Sequence, residues 1–299
     1  MATAKEMRKT EGSGGASVLF GGISRNGRLS SRAVRVFQGI IRNHYRANRR
    51  DLPWRRAHDP YKILVSEVML QQTQVERVAE KYRLFIRQFP GFSALAAASL
   101  ADILKAWQGL GYNRRALALK KLAGIVMKEY HGKLPSGAGE LMKLPGIGKY
   151  SASAIVTFAH NKPTLFIETN IRRVFIHFFF DDRDNIGDAL IMPLVEQTLD
   201  AANPREWYYA LMDYGAMMKA DTGNPNRRSA HYRKQTPFQG SDRQVRGRIL
   251  KALTEKGLSE EAMIRELQIE PAKAGRCLAQ LLSEGFLKKK GKTYLIASW

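Results

Sequence analysis

The sequence predicts an all-α protein: one large, mostly helical domain followed by a smaller unit of three helices and a basic hairpin. Three observations carry this. Apolar residues recur at spacings of three and four nearly throughout residues 31–220, strand signals are scarce there, and turns marked by Pro and Gly separate the helical stretches. Of 299 residues 44% are apolar and 25% charged, a balance that supports a buried core and excludes collagen-like, mucin-like and wholly disordered classes. No tandem solenoid repeat is visible.

Taken in order, residues 1–30 are rich in Gly, Ser and basic side chains and read as a flexible basic tail. Their short apolar run, 18–20, is too brief for the core of a signal peptide. Residues 1–56 hold 13 Lys and Arg against 3 acids, a local +10 that fits either a solvated tail or a binding arm. Helical periodicity then marks 33–45, 75–89, 99–107, 114–130, 138–144, 150–159 and 207–218. A further helix, 61–72, starts at Asp59-Pro60, because Asp caps free N–H groups and Pro suits the first turn. The polar stretch 219–240, with Gly223, Pro225, Pro237 and Gly240, reads as a linker or extended loop. Beyond it, 242–256, 259–267 and 271–284 read as helices. Two short apolar runs, 286–287 and 294–297, flank the basic residues 288–292. Three helices and a basic hairpin make a winged-helix-like pattern over 241–299, with a small helical bundle as the alternative.

The formal net charge is +22, from 49 Lys and Arg against 27 Asp and Glu, which points to a polyanionic partner. The longest uncharged stretch, 88–101, is broken by Pro90 and Gly91 and falls short of the roughly 18 apolar residues of a membrane span, so no membrane association is expected. Cys277 is the only cysteine, which excludes an intramolecular disulfide and a cysteine metal cluster. No metal site is predicted.

Three segments carry chemistry. In Leu141-Met-Lys-Leu-Pro-Gly-Ile-Gly-Lys149 the glycines Gly146 and Gly148 permit positive φ and close backbone approach, so the next helix can offer N–H groups to a phosphate, flanked by Lys143 and Lys149. The same turn also fits a plain helix connection. Glu67 shares a helix face with Ile63 and Leu70. Desolvation there favours a protonated carboxyl, as a general acid requires, while a buried pair with an arginine is the competing reading. Glu168, ahead of Thr169-Asn-Ile-Arg-Arg-Val174, sits where an acid caps a helix. A helix N-terminus lowers a carboxyl pKa, so the two glutamates are expected in opposite protonation states, the division by which glycosidic bonds are commonly broken.

With these pieces assembled, the chain resembles the helix-hairpin-helix DNA glycosylases, and within them the adenine-specific mismatch glycosylases of the MutY kind. The resemblance covers about residues 33–218. It is carried by Leu52-Pro-Trp-Arg55, Pro60-Tyr-Lys, Ser66-Glu-Val-Met-Leu-Gln-Gln-Thr-Gln-Val75, Gly109-Leu-Gly-Tyr112, Leu144-Pro-Gly-Ile-Gly148, Asn170-Ile-Arg-Arg-Val174 and Met212-Asp-Tyr-Gly-Ala-Met217. The resemblance implies a fold of two helical lobes over 31–220. Glu67 matches the glutamate that protonates adenine and then activates water, and Glu168 the position of the aspartate that stabilises the oxocarbenium-like sugar. Tyr150 matches the active-site tyrosine and Asn170 the asparagine beside the second carboxylate. Gln72 and Tyr112 match residues that enter the base stack when the nucleotide flips out, and Arg55, Gly146, Gly148 and Lys149 fall on DNA-binding positions. Tyr150 also stands where bifunctional relatives carry a lysine nucleophile, which implies a monofunctional enzyme.

The sequence departs from that family in three places. Glu168 stands where the family has Asp, one methylene longer. The loop after Met218 lacks the four cysteines that hold an iron–sulfur cluster in most relatives, so no cofactor is expected, and residues 221–240 are read as replacing the cluster loop by direct packing. The C-terminal unit looks like a winged helix, which would bind duplex through 271–284 and 288–292, instead of the family's oxidised-guanine-reading domain. The expected function is release of a mispaired base from double-stranded DNA, adenine opposite G or 8-oxoguanine first. A thymine or uracil mismatch glycosylase and a DNA-binding protein with weakened catalysis are the alternatives. A monomer is expected, cytoplasmic and nucleoid-associated in a prokaryote, nuclear or organellar in a eukaryote.

Overall fold

Helix starts follow signals written locally in the chain. Ser30, Asp59, Ser99, Ser241 and Ser259 each cap a helix with a side-chain oxygen, Asp59 accepting from the N–H groups of Tyr61 and Lys62 at 2.8 and 3.3 Å. The computed structural model describes residues 28–180, 183–221, 224–234 and 237–298; apart from 28–30, the predicted tail lies outside them. The described helices are α1 (Ser31–Asn48), α2 (Pro60–Leu70), α3 (Val75–Gln88), α4 (Phe92–Ala97), α5 (Leu100–Trp107), α6 (Arg114–Glu129) and α7 (Ala138–Leu141). They continue with α8 (Lys149–His160), α9 (Thr169–Phe179), α10 (Asp188–Thr198), α11 (Pro204–Asp221), α12 (Asp242–Leu253), α13 (Glu260–Leu267) and α14 (Pro271–Ser283). Among described residues no helix is long and apolar enough to cross a membrane.

The described residues divide into two compact units, one within 1–51 and 156–234, the other within 52–155 and 235–299. In the first, Phe37 of α1 is fully buried in an aromatic cluster, its ring 5.1–5.9 Å from those of Phe175, Phe178, Phe179 and Trp207. Such large rings supply much of the apolar area that stabilises a helical core. Buried Asp213 on α11 accepts from the backbone N–H and the guanidinium of Arg50, fixing the end of the α1 segment. The segment after α11 does not run as a free linker: the first residues of the predicted linker complete α11, and Pro225–Arg228 forms a 3-10 turn.

In the second unit, α2 is apolar on nearly every side, with Tyr61, Ile63, Leu64, Val65, Val68 and Met69 buried, as a helix must be when it has neighbours all round. The C-terminal part runs α12, β1 (Leu258–Ser259), α13, α14, β2 (Leu287–Lys290), β3 (Thr293–Ile296), with sheet order β1-β3-β2 and both pairings antiparallel. Leu258 and Lys289 both oppose Tyr294. The three helices and the basic hairpin are as the sequence predicts. Strand β1, two residues long, carries too little periodicity to be read in advance.

Candidate active site and nucleic-acid interface

Glu67 stands in the middle of α2 and is 5% exposed. The phenol of Tyr150, from the first turn of α8, donates to its Oε2 at 3.2 Å. The two residues are 83 positions apart in sequence, and the turn before α8 brings them together. In that turn only Gly146 adopts positive φ, +79°, and a Cβ there would lie 2.9 Å from the Cβ of Ala118, so both backbone freedom and close approach require glycine. Gly148 was expected to share the role; its φ is ordinary and a Cβ would meet nothing. Gln71, just past α2, donates to the Gly146 carbonyl at 3.5 Å and to Ser151 Oγ at 3.1 Å, tying the turn to the Glu67 helix. Gly146, Gly148 and Lys149 are exposed at the start of α8, whereas Lys143 is engaged with Glu140 at 2.7 Å. Both lysines of the flank stay at the surface, Lys143 with its side chain 68% exposed.

Gln72 and Tyr112 both hold left-handed backbone, φ 55° and 48°, on two neighbouring loops. Non-glycine residues in that region persist only where surrounding contacts fix them. The contacts come from Arg115, which is 9% exposed. One of its terminal nitrogens donates to the carbonyls of Val68, Met69 and Gln71 at 2.6–2.8 Å, and the other to Thr73 Oγ1, Leu110 O and Gly111 O at 3.0–3.2 Å. A single cation thus satisfies the end carbonyls of α2 and both loops, where a positive group is also favoured by the helix dipole. Burial pulls its guanidinium down to about 10, and Tyr112, whose ring centre is 5.4 Å away, opposes that shift. Arg55 is half-buried in the 3-10 turn Pro53–Arg56, beside Trp54, which packs edge-on against Tyr82.

In the other unit Glu168 caps α9. Its Oε1 accepts from the N–H groups of Asn170 and Ile171 at 2.7 and 2.9 Å, and Oε2 from the Asn170 amide at 3.3 Å. The longer side chain thus makes the same cap that Asp59 makes on α2. Buried Arg173 donates to Asn170 Oδ1 at 2.6 Å, to the Gly215 carbonyl, and to Asn224 Oδ1 at 3.3 Å. Gly215 is obligatory, since a Cβ would overlap the Asn170 backbone. Desolvation outweighs the expected lowering of the Glu168 pKa. Burial raises it above 4.5, against the opposing pull of the two N–H donors and of Arg173 and Arg172. Sequence position reveals the cap but not the surrounding protein that desolvates the carboxyl.

Segment 224–234 packs directly on α9. Asn226 donates to Thr169 O at 2.8 Å, Arg228 donates to the carbonyls of Phe180 and Ile176, and Ile186 donates its N–H to the Arg228 carbonyl at 2.9 Å and accepts from the Ala230 N–H at 3.0 Å. The residues present do not fit an iron–sulfur cluster, which needs four thiolates, because Cys277 is the single cysteine and is buried in α14.

The predicted residues therefore assemble as two pairs, Glu67 with Tyr150 and Glu168 with Asn170, one in each unit. Arg115, Arg173 and Gly215 escaped sequence reasoning. Their partners are backbone carbonyls and atoms of distant helices, which leave no local pattern, although Arg115 follows Tyr112 by three positions and Gly215 lies inside a recognised motif.

Residues 65–193 match the family described as HhH-GPD superfamily base excision DNA repair protein. An adenine DNA glycosylase of Mycolicibacterium smegmatis is 35% identical over 264 residues, covering 81% of this chain and 89% of that one. An adenine DNA glycosylase of Buchnera aphidicola subsp. Baizongia pistaciae is 37% identical over 186 residues, 61% of this chain; the match spans about half of that relative, 52%. The solved structure of a thermostable thymine-DNA glycosylase superposes with a TM-score of 0.58 at 28% identity, covering 64% of this chain and 90% of that one.

Proposed function

The chain belongs to the HhH-GPD superfamily of base excision DNA repair proteins, as a DNA N-glycosylase, and on that premise we propose that it flips adenine out of a mispair with G or 8-oxoguanine and hydrolyses the bond between base and sugar. The observation that carries the reading is the buried Glu67 held by the Tyr150 phenol. In its neutral form Glu67 gives its proton to the adenine ring as the base–sugar bond breaks and the bonding pair leaves with the base. It then takes a proton from the water that adds to the oxocarbenium-like sugar. Glu168, as a carboxylate, offsets the sugar's positive charge, and Asn170 and Arg173 orient it. Tyr150 in place of a lysine nucleophile leaves water as the only attacking group, which makes the enzyme monofunctional. Gln72 and Tyr112 fill the gap left by the flipped base, which offsets unstacking of a few kcal/mol. The protein works as a monomer without an iron–sulfur cluster or another cofactor.

The test uses duplexes holding A:8-oxoguanine, A:G, T:G and U:G, with alkali to cleave abasic sites. Adenine release from the first two is the expected result. Tight duplex binding with no base released from any of them removes the enzymatic reading. The likeness to a thymine-DNA glycosylase supports a second reading, release of thymine or uracil opposite G, and the identity of the free base separates the two.

A further inference from the structure

Within the unit formed by 52–155 and 235–299, a groove of about 1580 Å³ opens between the loops that carry Gln72 and Tyr112 on one side and α12 on the other. Its lining holds eight Arg and Lys against one acid, Asp242, which itself lies 3.9 Å from Lys273. Phe238 stands in the groove 57% exposed, a flat apolar surface on which a base can stack. Cationic side chains interleaved with an accessible aromatic are what a nucleic-acid strand needs: point charges for its phosphates and a flat surface for a base.

The contact that ties the two walls together is specific. Arg243, near the start of α12, donates to the Tyr112 hydroxyl at 3.1 Å, and its guanidinium lies 5.9 Å from the centre of the Tyr112 ring. Any strand that engages Tyr112 therefore meets Arg243. Lys251, two turns further along α12, is exposed in the same groove. The third helix, which the winged-helix pattern singles out, and the wing keep Arg276 and Lys290 exposed, but neither element brings a cation to the lining of this groove.

We infer that α12, the first helix of the C-terminal part, and not its third helix or wing, is the element that faces duplex DNA, with Arg243, which positions Tyr112, and Lys251 each countering one backbone phosphate. This rests on the DNA-glycosylase reading above. It gives the C-terminal part a share in holding the duplex at the point where the base leaves the stack.

The experiment is a salt titration of duplex affinity by fluorescence anisotropy on the full chain carrying Glu67→Gln, so that an A:8-oxoguanine duplex stays intact. Adding Arg243→Ala and Lys251→Ala lowers the log–log salt slope by about 1.8, and Lys251→Ala alone, at an exposed site that leaves packing untouched, by about 0.9. Arg276→Ala with Lys289→Ala and Lys290→Ala leaves the slope unchanged. The inference is overturned if the α12 variants keep the parent slope or if the third-helix and wing variant loses more. A parent that binds no duplex overturns the glycosylase reading itself, a result distinct from a parent that binds with a slope owed to other residues.

Discussion

The two acidic residues of the proposed site are held in opposite ways. Glu67 lies in the middle of an almost wholly apolar helix and meets the hydroxyl of Tyr150, a residue 83 positions away. Glu168 sits at a helix start and is gripped by backbone N–H groups two and three residues ahead of it. The first setting depends on tertiary packing and suits a group that must part with a proton. The second is built mostly from local backbone and suits a fixed charge. Glu67 is buried and Glu168 only partly so, and the donors separate them further.

The sharpest break of that comparison is Glu67→Gln, which retains size and removes the transferable proton. Base release falls roughly 10²–10⁴-fold in single-turnover assays while duplex affinity persists. Next, Gly215→Ala drives a methyl group into the Asn170 backbone and shifts the Glu168 cap without touching α2. A displacement near 1 Å costs on the order of 100-fold in rate, so kcat should fall with duplex affinity retained. Tyr150→Phe keeps the ring and deletes the donor to Glu67, with an expected loss of about tenfold, the scale of one hydrogen bond to an acid.

The smallest effect is in pH. Folding raises the Glu168 pKa above 4.5, so the protonated form favours the folded state. The resulting stability is fully present below the unfolded value and is lost as pH rises through the folded one. Urea midpoints of the protein, compared with those of Glu168→Gln, should therefore drift in favour of the variant as pH rises from about 4.5 toward neutrality. A drift the other way would show that the N–H donors and Arg173 outweigh burial.

Much of this was legible in the chain, for identifiable reasons. Serine and aspartate caps and apolar periodicity announce helices because both are short-range, and Asp59-Pro60 marks the start of α2, although the helix ends at Leu70 and not at 72. Helix α10 was not singled out; Pro193 lies inside it and a sequence reader takes proline as a break. Glu67 declares itself as an acid on an apolar face, and Glu168 as a cap. What stayed hidden is non-local: the Tyr150 contact follows only from motif resemblance, the desolvation of Glu168 from its surroundings, and the need for Gly215 from a helix 45 positions away in sequence, at Asn170.

Arg115 carries a consequence of its own. Because one guanidinium gathers carbonyls from the loops of both Gln72 and Tyr112, and Thr73 Oγ1 also reaches Leu110 O at 3.4 Å, neither loop can relax alone. Under the proposed function the two residues act as the tines of one fork, entering or leaving a helix of base pairs together. Energies measured for altering either tine will then fail to add, and a chain lacking the Arg115 handle will lose the fork's shape before it loses its acid.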